Sequence, residues 1–291
     1  MDEISFEIEE VREEHKRLYQ PSVWLEMAQL MSWRGNEVIN LGQGYPDWNP
    51  PQFVTKAACQ AVDGNSSERS VYTRTRGYPP LLNAIAKHYS VSLNRHLDPA
   101  KHIVVSVGAS QAISIAMSCF LKPGDEVILI EPFFDLYRGS ADIAGATIRS
   151  VPLRMKSSNA SQLSSDQLQI DFDELESVFN KNTRMLVLNS PHNPTGKMFS
   201  RDEYIRLSQV LNKYPRVLVL SDEVYEHIIF EAETQPHVPF ASISEAMWNR
   251  TISIYSAGKT FSVTGWKVGW MIAPAEIISR LVHLQQWIVF C

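Results

Sequence analysis

From Lys101 onward, short runs of β-branched and aliphatic residues alternate with segments whose apolar positions recur at helical spacing. HIVVSV is followed by SQAISIAMSCFL, EVILI by FFDLYRGSADIAG, and ATIRSVPL by a segment around DFDELESVFN. Then come RMLVLN, the helical RDEYIRLSQVLNKY, RVLVLS, TISIYS and VGWMIA. VILI, MLVL and VLVL are unbroken apolar runs of strand length, the pattern of strands covered on both faces. Such strands alternating with helices predict an α/β domain with a mostly parallel sheet sandwiched by helices. The Ser-rich link SVPLRMKSSNASQLSSDQLQ reads as an exposed excursion. Upstream, a stretch rich in Gly, Pro and aromatic residues from about Asn40 to Pro80 reads as ordered loop, because Gly and Pro punctuate regular elements. At the other end, Ile277, Ile278, Leu281, Leu284 and Ile288 predict an amphipathic helix. It finishes in the apolar WIVFC without a Gly, Asn or Pro stop, which fits either a chain cut inside an element or a helix packed into the core.

Charge and cysteine usage narrow the classes. Lys plus Arg number 27 against 32 for Asp plus Glu, a net charge of −5 that offers no broad basic face for nucleic acid or an anionic membrane. The uncharged stretch from Ile103 to Leu121 is long enough to span a bilayer. Gly108, Gln111 and the serines Ser106, Ser110, Ser114 and Ser118 break it instead into a buried strand, a loop and a buried helix. The N-terminal MDEISFEIEEVREEHKR is acidic and lacks the apolar core of a secretory leader. Cys59, Cys119 and Cys291 are odd in number and far apart, which suggests neither a disulfide framework nor a zinc site and fits a reducing, cytoplasmic compartment. No His/Cys/carboxylate cluster has ligand spacing, so no metal is expected.

In an open α/β sheet, ligands bind beyond the carboxyl ends of the strands. Four strand ends carry unusual residues: Gly108-Ala109-Ser110, the SPHNP segment containing Asn193, the Asp222 to Tyr225 segment, and Ser256 to Lys259. Together they place phosphate donors, an amide, a carboxylate, a phenol and an amine at one rim. Most lysines are solvated surface groups, but Lys259 follows a strand through Ala257 and Gly258 in a region with few other charges. Desolvation there would release its proton and make it a nucleophile toward an aldehyde. Pyridoxal 5′-phosphate is the cofactor whose chemistry needs such an amine together with a carboxylate facing the pyridine nitrogen. Asp222 is the candidate carboxylate. Its plain alternative, a helix N-cap, leaves Tyr225 and Lys259 unrelated to it. Gly108-Ala109-Ser110 opens a helix, whose N-terminus suits a phosphate, and Ser256 and Lys267 could add a hydroxyl and a charge. One ring of Phe133-Phe134 could stack on a pyridine, although paired phenylalanines are more often core. His192 reads as a turn residue.

Six strings, NLGQGYPDWNPP, YTRTRGYPPL, EPFFDLY, NSPHNPTGKMFS, SDEVYE and SAGKTFSVTGWKVGW, occur in an order and at separations that resemble the class I/II aminotransferases of pyridoxal phosphate (PLP) fold type I. Within them the likeness is to kynurenine aminotransferases, also called glutamine transaminase K or cysteine-S-conjugate β-lyase. The resemblance runs from about Trp24 onward and implies transamination between an amino acid and a 2-oxo acid, with β-elimination as a side reaction. It implies that Lys259 bonds the cofactor aldehyde and moves the proton at the substrate Cα, and that Asp222 pairs with the ring nitrogen. Tyr225 and Asn193 would bond the phenolic oxygen, and Phe134 would stack on the ring. The Ala109 N–H, Ser110, Ser256 and Lys267 would hold the phosphate. Tyr72 would reach the phosphate of a neighbouring subunit, which implies a homodimer. Gly44 would meet the substrate carboxylate, and Trp24 would lie near the substrate side chain along with Asn193. The organisation implied is an N-terminal segment over residues 1–45, a cofactor-binding large domain over 46–274, and the start of an interdomain helix over 275–291. A C-terminal small domain, with the arginine that clamps the substrate carboxylate, is expected to be missing. The competing expectation is a catalytically weak or inactive PLP-binding remnant that acts through dimerisation.

Overall fold

The computed structural model describes residues 23–34, 39–42, 44–63, 71–156, 164–230 and 232–290. Contacts divide the chain into two units, Met1–Gly44 and Tyr45–Cys291. In the first, helix α1 covers Val23–Arg34, with Glu26 in its first turn, where a carboxylate complements the helix dipole. The acidic segment that precedes it lies outside the described residues.

The second unit is an α/β domain on an eight-stranded sheet. Its strands are β1 (Ile103–Val107), β2 (Glu126–Glu131), β3 (Thr147–Met155), β4 (Leu168–Ile170), β5 (Thr183–Asn189), β6 (Leu218–Asp222), β7 (Thr251–Ser256) and β8 (Val268–Ile272), in the order β1-β8-β7-β6-β5-β2-β3-β4. The helices are α2 (Gln52–Asp63), α3 (Pro79–Ser92), α4 (Gly108–Phe120), α5 (Asp135–Ile143), α6 (Phe172–Val178), α7 (Arg201–Asn212), α8 (Glu245–Trp248), α9 (Ala257–Thr260) and α10 (Ala275–Val289). Successive residues of β2 serve different cores. Val127 and Leu129 pack with Ile113 and Met117 of α4, Tyr137 of α5 and Ile278 of α10. Ile128 and Ile130 pack with Leu175 of α6 and Leu207 and Leu211 of α7. Burial on both faces is what the unbroken apolar runs required, each such side chain contributing roughly 1.5–3 kcal/mol.

Pairing within the sheet is mixed. The neighbours β2–β3, β2–β5, β5–β6 and β6–β7 are parallel, whereas β8 is antiparallel to both β1 and β7, and β4 to β3. β8 returns directly from β7 through α9 and a short turn without a crossover helix, and such a return produces antiparallel neighbours. Since β8 opposes both, β1 and β7 run the same way and bring their carboxyl ends to one rim.

The expected loop from 40 to 80 contains helix α2 and the start of α3. Pro51 immediately precedes α2, and Pro79 and Pro80 fill the first two positions of α3. Proline's missing N–H is harmless in the first helical turn, so these residues start helices instead of breaking them. Leu82, Ile85, Ala86 and Tyr89 then form the buried stripe of α3. In the Ser-rich link, Leu153 to Met155 and Leu168 to Ile170 form an antiparallel arm; residues 157–163 between them lie outside the described residues. The uncharged stretch from Ile103 is β1 followed by α4, and among the described residues no helix is long and apolar enough to cross a membrane. In α10, Ile277, Ile278 and Leu281 are buried, while Trp287 and Ile288 in its last turn are exposed.

Candidate active site

The rim formed by the carboxyl ends of β5, β6, β7 and β1 collects the polar residues. β6 ends at Asp222, whose carboxylate is buried. The Tyr137 hydroxyl, on the first turns of α5, donates to Asp222 Oδ2 at 2.7 Å, and the Val224 N–H donates to Oδ1 at 3.3 Å. Asp222 therefore closes a turn and does not cap a helix. Among the described residues no ion pair involves it, and burial raises its pKa to about 6 against the pull of these hydrogen bonds. A buried carboxylate held this way favours a positive partner, and the charge of Lys259 already acts on it in that sense.

Lys259 lies in α9, directly after β7, with its Nζ 5.4 Å from the centre of the Tyr225 ring. Burial lowers the pKa of its amine, the charge of Lys267 acts in the same direction, and Asp222 opposes both. The Tyr225 phenol is pushed up by burial and then by the Asp222 charge. Asp222, Tyr225 and Lys259 are thus brought together. Asn193 joins them through the backbone: its N–H donates to Asn189 Oδ1 at 2.6 Å, and Asn189 Nδ2 donates to the Asp222 carbonyl at 2.9 Å. Asn193 and Tyr225 line one cavity of about 290 Å³. Phe134 stands edge-on to Tyr137, with ring centres 5.9 Å apart.

The other end of the rim is built around Gly269 of β8. Ser106 of β1 and Ser256 of β7 face it from either side in register. A Cβ on Gly269 would lie 2.7 Å from the Gly108 carbonyl carbon and 2.8 Å from the Ala109 nitrogen, so only glycine lets the start of α4 settle here. The N-cap residue Val107 makes no side-chain cap, its own N–H donating to Gln111 Oε1 at 2.7 Å, and Gly108 holds a φ of +71°. The Lys267 Nζ is 3.5 Å from the Ser110 hydroxyl. Lys267 itself takes a left-handed φ of +55°, a conformation that persists in a non-glycine residue only where its surroundings impose it. The Ser256 hydroxyl accepts from the Gly258 N–H at 3.1 Å and keeps its own proton for another partner. Uncapped first-turn amides beside a cation and hydroxyls form an anion cup.

These residues fit pyridoxal phosphate: a buried carboxylate, without an ion pair among the described residues, for a ring cation, a desolvated amine for an aldehyde, and an anion cup for a phosphate. Tyr137 and Asn189 were not anticipated. Tyr137 follows Phe134, the residue before α5, by three positions, so both sit at the same strand end. Asn189 reads in the sequence as the last residue of a buried strand. His192 is a buried turn residue, its Nδ1 2.8 Å from Thr195 Oγ1, and burial lowers its pKa to about 4. Tyr72 is exposed, its ring edge-on to Phe290 at 5.3 Å. Trp24 and Gly44 belong to the first unit. Among the described residues, no group of three or more His, Cys, Asp or Glu could hold a metal ion.

Comparisons with known proteins identify the family. Residues 36–291 match the family model described as aminotransferase class I and II. The kynurenine–oxoglutarate transaminase of Dictyostelium discoideum is 41% identical over 276 residues, which cover 93% of this chain and 62% of that protein. Human kynurenine–oxoglutarate transaminase 1 is 40% identical over 268 residues, or 92% of this chain and 62% of the relative. Among solved structures, Bna3p from Saccharomyces cerevisiae superposes with a TM-score of 0.86 at 34% identity, covering 94% of this chain and 64% of that one. The N-succinyldiaminopimelate aminotransferase from Mycobacterium tuberculosis does so with 0.83 at 36%, covering 94% and 67%. The chain thus spans about three fifths of the length of these curated relatives. It belongs to the class I and II aminotransferase family.

Proposed function

We propose that this chain binds pyridoxal 5′-phosphate at the rim and serves transamination between an amino acid of the kynurenine, glutamine or aromatic type and a 2-oxo acid. The observation that carries the proposal is the convergence of a desolvated amine, Lys259, and a buried carboxylate without an ion pair, Asp222, at adjacent strand ends. When bound, the cofactor supplies an aldehyde and a ring that accepts the electrons left when a substrate loses its α-proton.

The chain's residues hold and direct that chemistry. Asp222 keeps a proton on the ring nitrogen, and Tyr137 and the Val224 N–H keep Asp222 charged and aimed. Lys259 carries the cofactor at rest and moves the proton at the substrate Cα, a task suited to an amine whose pKa is lowered. Tyr225 and Asn193 donate to the phenolic oxygen, and Phe134 covers the ring. The first-turn amide of Ala109, the hydroxyls of Ser110 and Ser256, and the Lys267 ammonium hold the phosphate. Asn193 also serves the substrate, and a leaving group at its Cβ would be eliminated at the same site. The exposed Tyr72 reaches the phosphate site of a second copy, so the working form is a homodimer. The free thiols Cys59 and Cys119 suit a reducing, cytoplasmic setting.

Mixing the purified chain with pyridoxal phosphate is expected to produce the visible absorbance of a lysine-linked cofactor, absent in Lys259→Ala. Kynurenine and 2-oxoglutarate should turn over, and the same substitution should lower the rate by about 10⁴-fold. An absorbance that survives in Lys259→Ala would refute the assignment of the amine.

A further inference from the structure

The loop from 190 to 200, between β5 and α7, presents Asn193 at the rim, yet its one lysine points away from it. Lys197 is buried, at 2% exposure. Its Nζ lies 2.9 Å from Glu203 Oε1 and 3.2 Å from Oε2, and 5.0 Å from the centre of the Phe199 ring. Glu203 is already committed. It is the third residue of α7 and completes a capping box, accepting from the Ser200 N–H at 2.8 Å while its own N–H donates to the Ser200 hydroxyl at 3.2 Å. One carboxylate thus fastens both the helix start and the lysine.

The lysine's backbone closes the turn that carries Asn193. The His192 N–H donates to the Lys197 carbonyl at 2.8 Å, the Gly196 N–H to the His192 carbonyl at 2.7 Å, and the Lys197 N–H to Thr195 Oγ1 at 3.2 Å. On the strand side, the Asn193 N–H is tied to Asn189 and the Phe199 N–H to the Ser190 hydroxyl at 3.2 Å. The turn therefore has two anchors, Asn189 on the sheet and, for Lys197, Glu203 on the helix. A charge taken out of water is retained at such cost only with a fixed partner, so the ammonium defines where the far leg of the turn sits.

We propose that Lys197 is a positioning residue: through its buried ion pair with Glu203 it holds the turn so that Asn193 meets the cofactor's phenolic oxygen beside Tyr225. This rests on the cofactor reading above. A donor to that oxygen stabilises the negative charge left when the lysine-linked cofactor loses its proton, so a misplaced Asn193 should raise the pH midpoint of the visible absorbance.

The test is a pH titration of that absorbance in the loaded protein. Asn193→Ala calibrates the effect. Lys197→Met is expected to raise the midpoint by about one pH unit, and the two substitutions together should add little to either alone. Glu203→Gln covers the case in which Lys197→Met fails to fold. Its amide oxygen still accepts from the Ser200 N–H but lacks the charge, and the midpoint should rise in the same direction. Lys213→Met, which removes an exposed ion pair with Glu176, controls for general loss of stability and should leave the midpoint in place. A folded Lys197→Met or Glu203→Gln protein with the wild-type midpoint would overturn the proposal. Failure of the wild-type chain to form the absorbance would instead overturn the cofactor reading.

Discussion

The two ends of the candidate site treat charge in opposite ways. At the end of β6, Asp222 is 4% exposed, and burial holds its pKa up at about 6. At the junction of β1 and β8, Lys267 is exposed and Ser110 and Ser256 are partly exposed, around helix amides that no side chain caps. Water already solvates much of that cup, so filling it with phosphate exchanges one set of partners for another. The acid end has no such exchange available. A cation arriving there relieves a cost that the empty fold carries, and the larger lever on function should therefore lie at the buried end.

Asp222→Asn should break this contrast most sharply. Cofactor affinity and kcat/KM are each expected to fall by about 10²-fold or more, read by titrating the absorbance and by steady-state rates. The same variant tests the stored cost. An acid whose folded pKa lies above its unfolded value binds its proton more tightly in the folded state. Its contribution to stability is therefore fully present below about pH 4 and lost as pH rises through about 6. Denaturation of cofactor-free wild type and variant across that window should differ by on the order of 3 kcal/mol in pH dependence. A constant difference would show that Asp222 is not held at a cost. Glu226, which burial raises to about 7, has the same sign in both proteins and cancels in the subtraction.

Lys267→Met should act more gently, weakening cofactor binding by about 10-fold to 100-fold. It should also reduce the loss of affinity with added salt, because an exposed charge is screened. Gly269→Ala sharpens the comparison from the structural side. The added methyl meets the Gly108 and Ala109 backbone, so stability should drop by about 1–3 kcal/mol in thermal denaturation. The affinity loss should be smaller than for Lys267→Met, since no ligand-binding group is removed.

Much of this site was legible because its residues sit where strand runs stop. Asp222, Ser256 and Lys259 are readable as chemistry placed just past apolar segments, and the small residues before Lys259 mark the close packing that desolvates it. Tyr137 was not legible, because its role depends on a helix phase that brings a buried phenol onto a strand 85 residues away. The reversed direction of β8 was equally hidden, since VGWMI reads the same whichever way the strand runs. Helices α2 and α3 were obscured by prolines that start them.

The reversed last strand has a consequence for how the protein is made. Lys267 and Ser110, which meet at the anion cup, are 157 residues apart in sequence. On a ribosome, the helix bearing Ser110 emerges long before the strand that completes its partner wall. The cup exists only after β8 has joined β1 and β7, so a phosphate would find it complete only once both segments have been made. A coenzyme held there would staple an early segment of the domain to a later one.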